Sequence, residues 1–188
     1  MIESNIEFNF NDKYTVIKFD DTNVYGKFKN SISNGKGVDF IAYSDDKVIL
    51  MEIKNCSGHE SENQWRVDLG TKKNADGSID ECFDLEVAKK VSCTLSCLMG
   101  AGTFDKYNRT DEQEQLCQIM NKLTDYNHTI EVILFLEGDF EYKTRRKTMI
   151  MEAIQKRLKG HFKGWFNSTN CKVIDSNVKN NDVKSKIL

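Results

Sequence analysis

Two apolar stretches joined by a short polar turn dominate the first third of the chain. Residues 38–43 and 48–53 are mostly aliphatic or aromatic, and the residues between them are Ser44-Asp45-Asp46-Lys47. This pattern predicts a β-hairpin with a two-residue turn, in which Ser44 pairs with Lys47. Both faces of the two strands carry apolar side chains, which is typical of strands that are covered on both sides in a layered α/β core.

Three charged residues interrupt these apolar strands: Asp39, Glu52 and Lys54. In the predicted register Asp39 faces Glu52, and Lys54 lies on the same face two residues further along its strand. A slip of one residue would move Asp39 to the opposite face, so the register decides whether the three side chains converge. Because buried charges need a partner or a metal, the hairpin predicts a compact charged cluster in an apolar sheet.

The segments that flank the hairpin on its N-terminal side are also strand-like. Apolar residues separated by turn formers predict an N-terminal antiparallel meander with strands at residues 6–10, 14–19 and 24–28. The glycine-rich Asn34-Gly35-Lys36-Gly37 lacks the spacing of a phosphate-binding loop and predicts a turn.

After the hairpin, residues 55–79 are polar and aperiodic, which predicts a long loop. Its residues His59, Glu60, Glu62 and Trp65 are either auxiliary groups of a nearby site or solvated loop residues.

Apolar periodicity and capping signals predict the remaining elements. Ser78-Ile79-Asp80-Glu81 and Thr110-Asp111-Glu112-Gln113 have the spacing of capping boxes, and Gly100 is suited to end the first of the two helices. The predicted elements are helices at 81–99, after residue 110 and at 144–159, and strands at 129–136 and 172–174. We therefore expect an α/β fold with a mixed β-sheet flanked by helices.

Length and composition indicate one globular domain. The chain has 188 residues, of which 39% are hydrophobic and 30% charged, as is usual for soluble proteins. We divide the domain into N-terminal strands (1–35), a core that carries the charged cluster (36–136) and a basic C-terminal helix and strand (137–188). No apolar run reaches the length of a membrane span, and no signal peptide is visible at the N-terminus, so we expect a cytoplasmic protein without membrane contact.

Cysteine spacing and charge distribution add two observations. The six cysteines include no Cys-x-x-Cys pair; Cys93 and Cys97, four apart on a predicted helix, are either metal ligands or small buried hydrophobes in a reducing compartment. Residues 141–188 contain twelve Lys/Arg and four Asp/Glu, a balance of +8, whereas residues 1–140 have a balance of −10. A basic C-terminal quarter beside an acidic site suits a polyanionic partner, although solvated surface lysines would produce the same count.

The basic residues suggest where a nucleic acid would bind. Candidate contacts to its backbone are Lys36 near the cluster and, with Lys143, the residues Arg145, Arg146 and Lys147 at the start of the third predicted helix. Trp165 and Phe166, next to Lys163, either stack on bases or pack in the core.

The charged cluster matches the chemistry of a divalent-metal site. Asp39 and Glu52 supply hard oxygen ligands suited to Mg²⁺ or Mn²⁺, and the backbone carbonyl of Ile53 lies between them. A metal lowers the pKa of its bound water and polarises a phosphate, while Lys54 would steady the water or the charge on the phosphoryl oxygens. The cluster thus predicts phosphodiester hydrolysis. The alternative is a buried ion pair of Lys54 with a carboxylate.

The order of these residues resembles the motif of the PD-(D/E)xK nuclease superfamily, which includes restriction endonucleases, Holliday junction resolvases and repair nucleases. Gly37-Val38-Asp39 is followed after twelve residues by Glu52-Ile53-Lys54, and the resemblance covers residues 36–136. It implies a restriction endonuclease-like core, with Asp39, Glu52 and Lys54 as catalytic residues and Mg²⁺ as the cofactor.

The chain departs from that family's pattern at three points. Val38 replaces the proline. The family's helix before the first motif strand, often with a glutamate, is not predicted here, so that Glu3 and Glu7 are the upstream candidates. A Gln or Lys on the helix after the motif corresponds to Lys89 or Lys90.

These observations lead to one hypothesis and two alternatives. We expect a Mg²⁺-dependent endonuclease whose partner is nucleic acid, DNA rather than RNA, and which needs loops or a homodimer to choose its sites. The alternatives are a catalytically silent nucleic-acid-binding or protein-interaction module on the same scaffold, and an RNA-cleaving toxin or defence effector.

Overall fold

A mixed sheet lies at the centre of the computed structural model, which describes residues 1–32, 35–68, 71–75, 77, 79–141, 143–166 and 169–188. The strands are β1 (Ile2–Glu3), β2 (Ile6–Phe10), β3 (Thr15–Lys18), β4 (Phe40–Tyr43), β5 (Lys47–Asn55), β6 (Thr71–Lys73), β7 (Ile79–Glu81), β8 (Thr129–Glu137), β9 (Thr169–Ile174) and β10 (Val183–Ile187). The helices are α1 (Asn23–Ser31), α2 (Glu60–Asn63), α3 (Phe83–Gly102), α4 (Asp111–Thr124) and α5 (Lys147–Phe162).

Within the described residues, the central sheet has five strands in the order β3-β4-β5-β8-β9. Strands β3, β4 and β5 are antiparallel neighbours, whereas β5, β8 and β9 run parallel. The predicted hairpin register is confirmed, since Phe40 pairs with Met51 and Tyr43 pairs with Val48. The backbone N–H of Asp39 donates to the Met51 carbonyl at 3.1 Å, which extends the pairing to Asp39.

The two faces of this sheet are covered by different layers. Leu50 and Val132 of the central strands pack with the helices in one apolar cluster. On the opposite face, Ile49 and Phe135 join a second cluster with residues of a small sheet in the order β1-β2-β10. The ring of Phe8 in β2 meets Phe135 edge-on, with centroids 5.0 Å apart. Both faces of the central strands are therefore buried, and the expected α/β class with a mixed sheet flanked by helices is confirmed.

The predicted N-terminal meander is wrong in two respects. The segment predicted as a strand at 24–28 forms helix α1, and β2 belongs to the small sheet while β3 joins the central sheet. Helix α1 forms because the Thr22 hydroxyl accepts a hydrogen bond from the Tyr25 N–H at its first turn. Packing of Tyr25 against Phe19, at 5.1 Å between ring centroids, then fixes the helix on the sheet.

The segment predicted as a long loop at 55–79 contains regular structure. Helix α2 and a 3-10 turn at Gln64–Val67 are followed by the hairpin of β6 and β7. Val67 is fully buried, and the Arg66 guanidinium lies 4.4 Å from the centre of the Phe83 ring. These two side chains anchor a polar segment that has no periodic pattern of its own.

The three predicted helices are present as α3, α4 and α5, but their first and last residues differ from the prediction. The Thr110 capping box is present, with the Thr110 hydroxyl accepting from Gln113 N–H and the Gln113 side chain accepting from Thr110 N–H. The capping box predicted to open the first helix is wrong, because Ile79–Glu81 form β7 and the N-cap of α3 is Cys82; α3 then continues to Gly102, beyond the predicted stop. Helix α5 begins at Lys147 because Lys143 and Thr144 have φ angles of 50° and 65°. Strand β10 was not predicted, and Asn34, Gly70 and Ser78 lie outside the described residues.

Two further expectations concern the role of the cysteines and the absence of a membrane span. All six cysteines carry free thiols, and every one except the half-buried Cys93 is buried, as expected of small core residues. No helix in the described part of the chain is long and apolar enough to cross a membrane.

Candidate metal site at the end of strand β5

The hairpin register brings the predicted carboxylates together on the helix-covered face of the sheet. Glu52 is 1% exposed and Asp39 is 9% exposed. The Oδ2 atom of Asp39 accepts a hydrogen bond of 2.6 Å from the backbone N–H of Ile53. This bond holds the residue before β4 against β5, next to Glu52. The predicted convergence of Asp39 and Glu52 is confirmed.

Lys54 joins the same cluster. Its Nζ atom lies 3.1 Å from Oε1 of Glu52 and donates a hydrogen bond of 2.7 Å to Oε1 of Glu86 on α3. Glu86 is also bound by Arg66. Burial alone would lower the pKa of Lys54, but the charges of Glu52 and Glu86 outweigh burial and raise that pKa. Lys54 therefore stays protonated and acts as a hydrogen-bond donor.

A second lysine of the cluster comes from helix α3. The Nζ atom of Lys90 lies 2.5 Å from Oε1 of Glu52 and 3.8 Å from Oδ1 of Asp39. Lys89 points to Glu81 instead. Of the two lysines that the sequence left open, the structure thus brings Lys90 to the carboxylates. The sequence contains a signal that favours Lys90 over Lys89: Lys90 follows Glu86 by one helical turn and therefore lies on the same face of the helix.

Thr94 fixes helix α3 beside the carboxylates. Its hydroxyl accepts a hydrogen bond of 3.0 Å from the Val38 N–H and donates to the Lys90 carbonyl at 2.9 Å. Thr94 is fully buried. The residue before Asp39 is therefore tied directly to the turn of α3 that carries Lys90.

The charges of Asp39 and Glu52 are only partly balanced by hydrogen-bond donors and cations. Both lysines contact Oε1 of Glu52, whereas its buried Oε2 atom has no hydrogen-bond partner among the described residues. Burial and the charge of Glu52 raise the pKa of Asp39 to about 7, although Lys90 and the Ile53 N–H act in the opposite direction. A buried carboxylate oxygen without a donor is unusual in a structural ion pair.

The donor set fits a hard divalent cation. Two carboxylates meet here, and the Ile53 carbonyl points to the same strand edge as the Ile53 N–H that binds Asp39. Among the described residues, no group of three or more His, Cys, Asp or Glu side chains converges as a metal site. A cation held here would complete its shell with water or substrate oxygens, as Mg²⁺ commonly does.

A third carboxylate, that of Asp20, lies close by and was not among the site residues predicted from the sequence. The N–H of Phe19 donates to the Asp39 carbonyl at 2.8 Å, so Asp20 follows directly beside the cluster. The Oδ1 atom of Asp20 is buried and has no hydrogen-bond partner among the described residues. Burial raises the pKa of Asp20, and the charge of Asp39 adds to that shift while Lys18 opposes it.

The earlier upstream candidates lie elsewhere. Glu3 forms an ion pair with Lys18 at 3.2 Å, and Glu7 lies in β2 opposite Lys186. Neither glutamate has a recorded contact with Asp39 or Glu52 in the described part of the structure.

A cleft of about 730 Å³ opens over the two lysines. Its described lining includes five cationic side chains against three carboxylates, and residues of β7 and α3 contribute to the wall. The cationic residues are Lys36, Lys54, Arg66, Lys89 and Lys90. The positive balance suits an anionic ligand. Lys36 lines this cleft, and its contact with nucleic acid stays a prediction.

The basic segment at the start of α5 has carboxylate partners instead. Arg145 is bound to Asp68, and Lys147 lies 2.6 Å from Asp175 and 3.6 Å from Glu137. Arg146 is exposed at the N-cap of α5. A role of these three residues in binding nucleic acid stays a prediction.

Other candidates from the sequence lie in ordinary surface and packing positions. His59 lies 3.6 Å from Glu62, and Glu60 accepts a hydrogen bond from the Asp139 N–H at 3.1 Å. Trp165 is half exposed and packs edge-on against Phe162 at 5.4 Å.

Together, the fold and the cluster define an α/β protein with a buried carboxylate–lysine centre at the end of β5. The chain belongs to a family of unknown function, DUF6661, whose model matches residues 22–187. The matched range contains Asp39, Glu52, Lys54 and Lys90 and begins after β3. Comparisons with curated proteins and with solved structures find no match. The function must therefore be inferred from the site itself.

Proposed function

We propose that this protein is a metal-dependent nuclease of the PD-(D/E)xK type, which hydrolyses DNA phosphodiester bonds with Mg²⁺ or Mn²⁺. The observation that carries the proposal is the unpartnered Oε2 atom of the buried Glu52, beside Asp39 and two lysines. An unsatisfied buried carboxylate oxygen costs folding free energy, and a bound cation would remove that cost.

Each residue of the cluster has a chemical role in this proposal. Asp39 and Glu52 would hold the cation through their carboxylate oxygens, and the Ile53 carbonyl could add a further oxygen ligand. When bound, Mg²⁺ or Mn²⁺ lowers the pKa of a coordinated water and polarises the scissile phosphate. Lys54, which remains protonated, donates a hydrogen bond to the attacking water or to a phosphoryl oxygen.

Contacts around Lys54 support this role. Glu86 holds the Lys54 ammonium at 2.7 Å, and Arg66 holds Glu86 from the other side. The ammonium group is thereby positioned before substrate arrives, which is what stabilisation of a developing charge requires. Glu86 and Arg66 are positioning residues in this arrangement.

The cleft supports a polyanionic substrate. Lys54 and Lys90 line the cleft and also contact Glu52, so a phosphate that enters beside Lys36 approaches the carboxylates through these two lysines. Contacts of this kind recognise the nucleic-acid backbone rather than its bases. DNA and RNA share that backbone charge, so an RNA-cleaving effector and a silent binding module are the competing outcomes of the test.

The test is a cleavage assay on supercoiled plasmid, linear duplex, single-stranded DNA and RNA, each with Mg²⁺, Mn²⁺ or EDTA. Glu52→Gln and Lys54→Met are compared with Glu62→Gln and Lys106→Met, which make the same chemical changes at exposed positions. We expect metal-dependent cutting of DNA that both site variants lose and both surface variants keep. Cutting of RNA alone would favour the effector. Binding without cutting would favour the silent module.

A further inference from the structure

The ammonium group of Lys90 occupies the position between the two carboxylates. It lies 2.5 Å from Oε1 of Glu52 and 3.8 Å from Oδ1 of Asp39. The Lys90 side chain is 12% exposed, so the charge is largely withdrawn from water. Two buried like charges repel each other strongly, and a cation placed between them reduces that repulsion.

Lys54 differs from Lys90 in its partners. Lys54 shares its charge between Glu52 and Glu86, and the bond to Glu86 is the shorter of the two. In the described part of the structure, Lys90 forms its ion pairs with Glu52 and Asp39. Lys90 therefore contacts the same two carboxylates that a divalent cation would bind.

We propose that Lys90 is a resident counter-cation, which a divalent metal must displace from Asp39 and Glu52 and which then binds the substrate phosphate in the cleft. This inference rests on the metal site of the proposed function.

Displacement follows from charge and geometry. A dication held by Asp39 and Glu52 would lie within a few ångströms of the Lys90 ammonium, and at that range the two cations repel. Lys54 is retained by Glu86, whereas Lys90 would lose both of its carboxylate partners to the metal. The side chain of Lys90 also lines the cleft, so rotation of its flexible stem is enough to carry the ammonium to a phosphate.

Two consequences follow for binding. Without substrate, Lys90 competes with the metal and weakens its affinity. With substrate, the phosphate stabilises the displaced ammonium, so metal and nucleic acid favour each other's binding, as thermodynamic linkage requires.

The experiment titrates Mn²⁺ into the full chain without nucleic acid, with the free Mn²⁺ followed by electron paramagnetic resonance. Lys90→Met removes the charge and keeps most of the stem. Lys106→Met, which makes the same change at an exposed position outside the cleft lining, is the matched control. We expect Lys90→Met to bind Mn²⁺ roughly tenfold more tightly than wild type, and Lys106→Met to bind as wild type does.

A second arm tests the substrate contact. The binding of a fluorescent DNA duplex is measured in Ca²⁺, which is used here to occupy the site without supporting cleavage. We expect Lys90→Met to bind DNA more weakly than wild type, despite its higher Mn²⁺ affinity. Unchanged DNA binding would overturn the assignment of Lys90 to the phosphate.

Further variants distinguish failure of the Lys90 role from failure of the metal site and from misfolding. If Lys90→Met does not fold, Lys90→Gln replaces it, and Lys90→Arg should retain the weak Mn²⁺ binding of wild type. Equal or weaker Mn²⁺ binding in the uncharged variants would overturn the counter-cation role. The proposed metal site would still stand in that case if Glu52→Gln abolished wild-type binding. Absence of Mn²⁺ binding in every variant would overturn both proposals.

Discussion

Two buried carboxylate clusters flank helix α3, and they are built differently. Asp84, in the first turn of α3, is fully buried, with one oxygen 2.9 Å from Nε of Arg157 and the other 3.0 Å from Nε2 of His161. Arg157 also donates to the Val67 carbonyl at 2.8 Å. Burial opposes ionisation of Asp84, but the hydrogen bonds from Arg157 and His161 outweigh it and lower the Asp84 pKa.

The Asp39–Glu52 cluster, two turns further along α3, shows the reverse pattern. Glu52 has an unpartnered buried oxygen, and the pKa of Asp39 is raised to about 7 by burial and the neighbouring charge. Both clusters are buried, so burial of a carboxylate does not by itself identify a functional site. Asp84 joins α3 to α5 with both oxygens satisfied, while Asp39 and Glu52 retain coordinating capacity at a cost to stability.

The largest expected effect is a loss of DNA cleavage when the Asp39–Glu52 cluster is changed. Glu52→Gln should lower the rate of metal-dependent DNA cleavage by roughly 10³-fold or more, because it removes a charged metal ligand. Initial rates of plasmid relaxation measure the change. A rate within tenfold of wild type would show that Glu52 is not a ligand of the catalytic metal.

Asp84→Asn should affect stability instead. Removing one partner of a buried ion pair leaves Arg157 uncompensated and costs roughly 3–5 kcal/mol of unfolding free energy. Urea denaturation followed by circular dichroism measures the loss, with Glu62→Gln as the exposed control. A loss below about 1 kcal/mol would mean that the Asp84 cluster contributes little to the fold.

Metal should stabilise the protein through Asp39 and Glu52 alone. At a free Mn²⁺ concentration about 100 times its Kd, binding to the folded state adds about 2.7 kcal/mol. For a chain of this size we expect the Tm to rise by roughly 5–10 °C, relative to the protein in EDTA. Differential scanning fluorimetry should show no rise for Glu52→Gln, and an unchanged rise would place the metal elsewhere.

The pH dependence of stability should have opposite signs at the two clusters. The lowered pKa of Asp84 means that its stabilisation is present above about pH 3.8 and is lost as the pH falls through the folded-state value. The raised pKa of Asp39 means that ionised Asp39 destabilises the metal-free protein above about pH 7, a penalty that protonation removes as the pH falls toward 4.

The Asp39→Asn variant tests whether ionised Asp39 destabilises the metal-free protein. In EDTA at pH 8 it should stabilise the protein by on the order of 1–3 kcal/mol, because the buried charge is gone while an amide oxygen can still accept from Ile53. At pH 5 the gain should shrink, since wild-type Asp39 is then mostly protonated. Urea denaturation at both pH values measures the difference. An equal gain at both would exclude the titration of Asp39 as its cause.

Local sequence determined the parts of this molecule that depend on neighbours in the chain. The two-residue turn at Asp45-Asp46 set the register of β4 on β5, and that register placed Asp39 beside Glu52. The Thr110 capping box marked the start of α4 in the same way. Such features are predictable because a turn or a cap acts within a few residues.

Tertiary structure decided the parts that depend on distant residues. Asp20 comes near Asp39 because the Phe19 N–H binds the Asp39 carbonyl. Lys90 rather than Lys89 lies beside the carboxylates, on the helix whose Thr94 hydroxyl binds the Val38 N–H. Strand β10 exists where pairing with β2 and packing of Val183 on the sheet override a weak local pattern. The charged motif was therefore visible in the sequence. The choice of Lys90 and the unpartnered oxygen of Glu52 arise only when helix and sheet pack together.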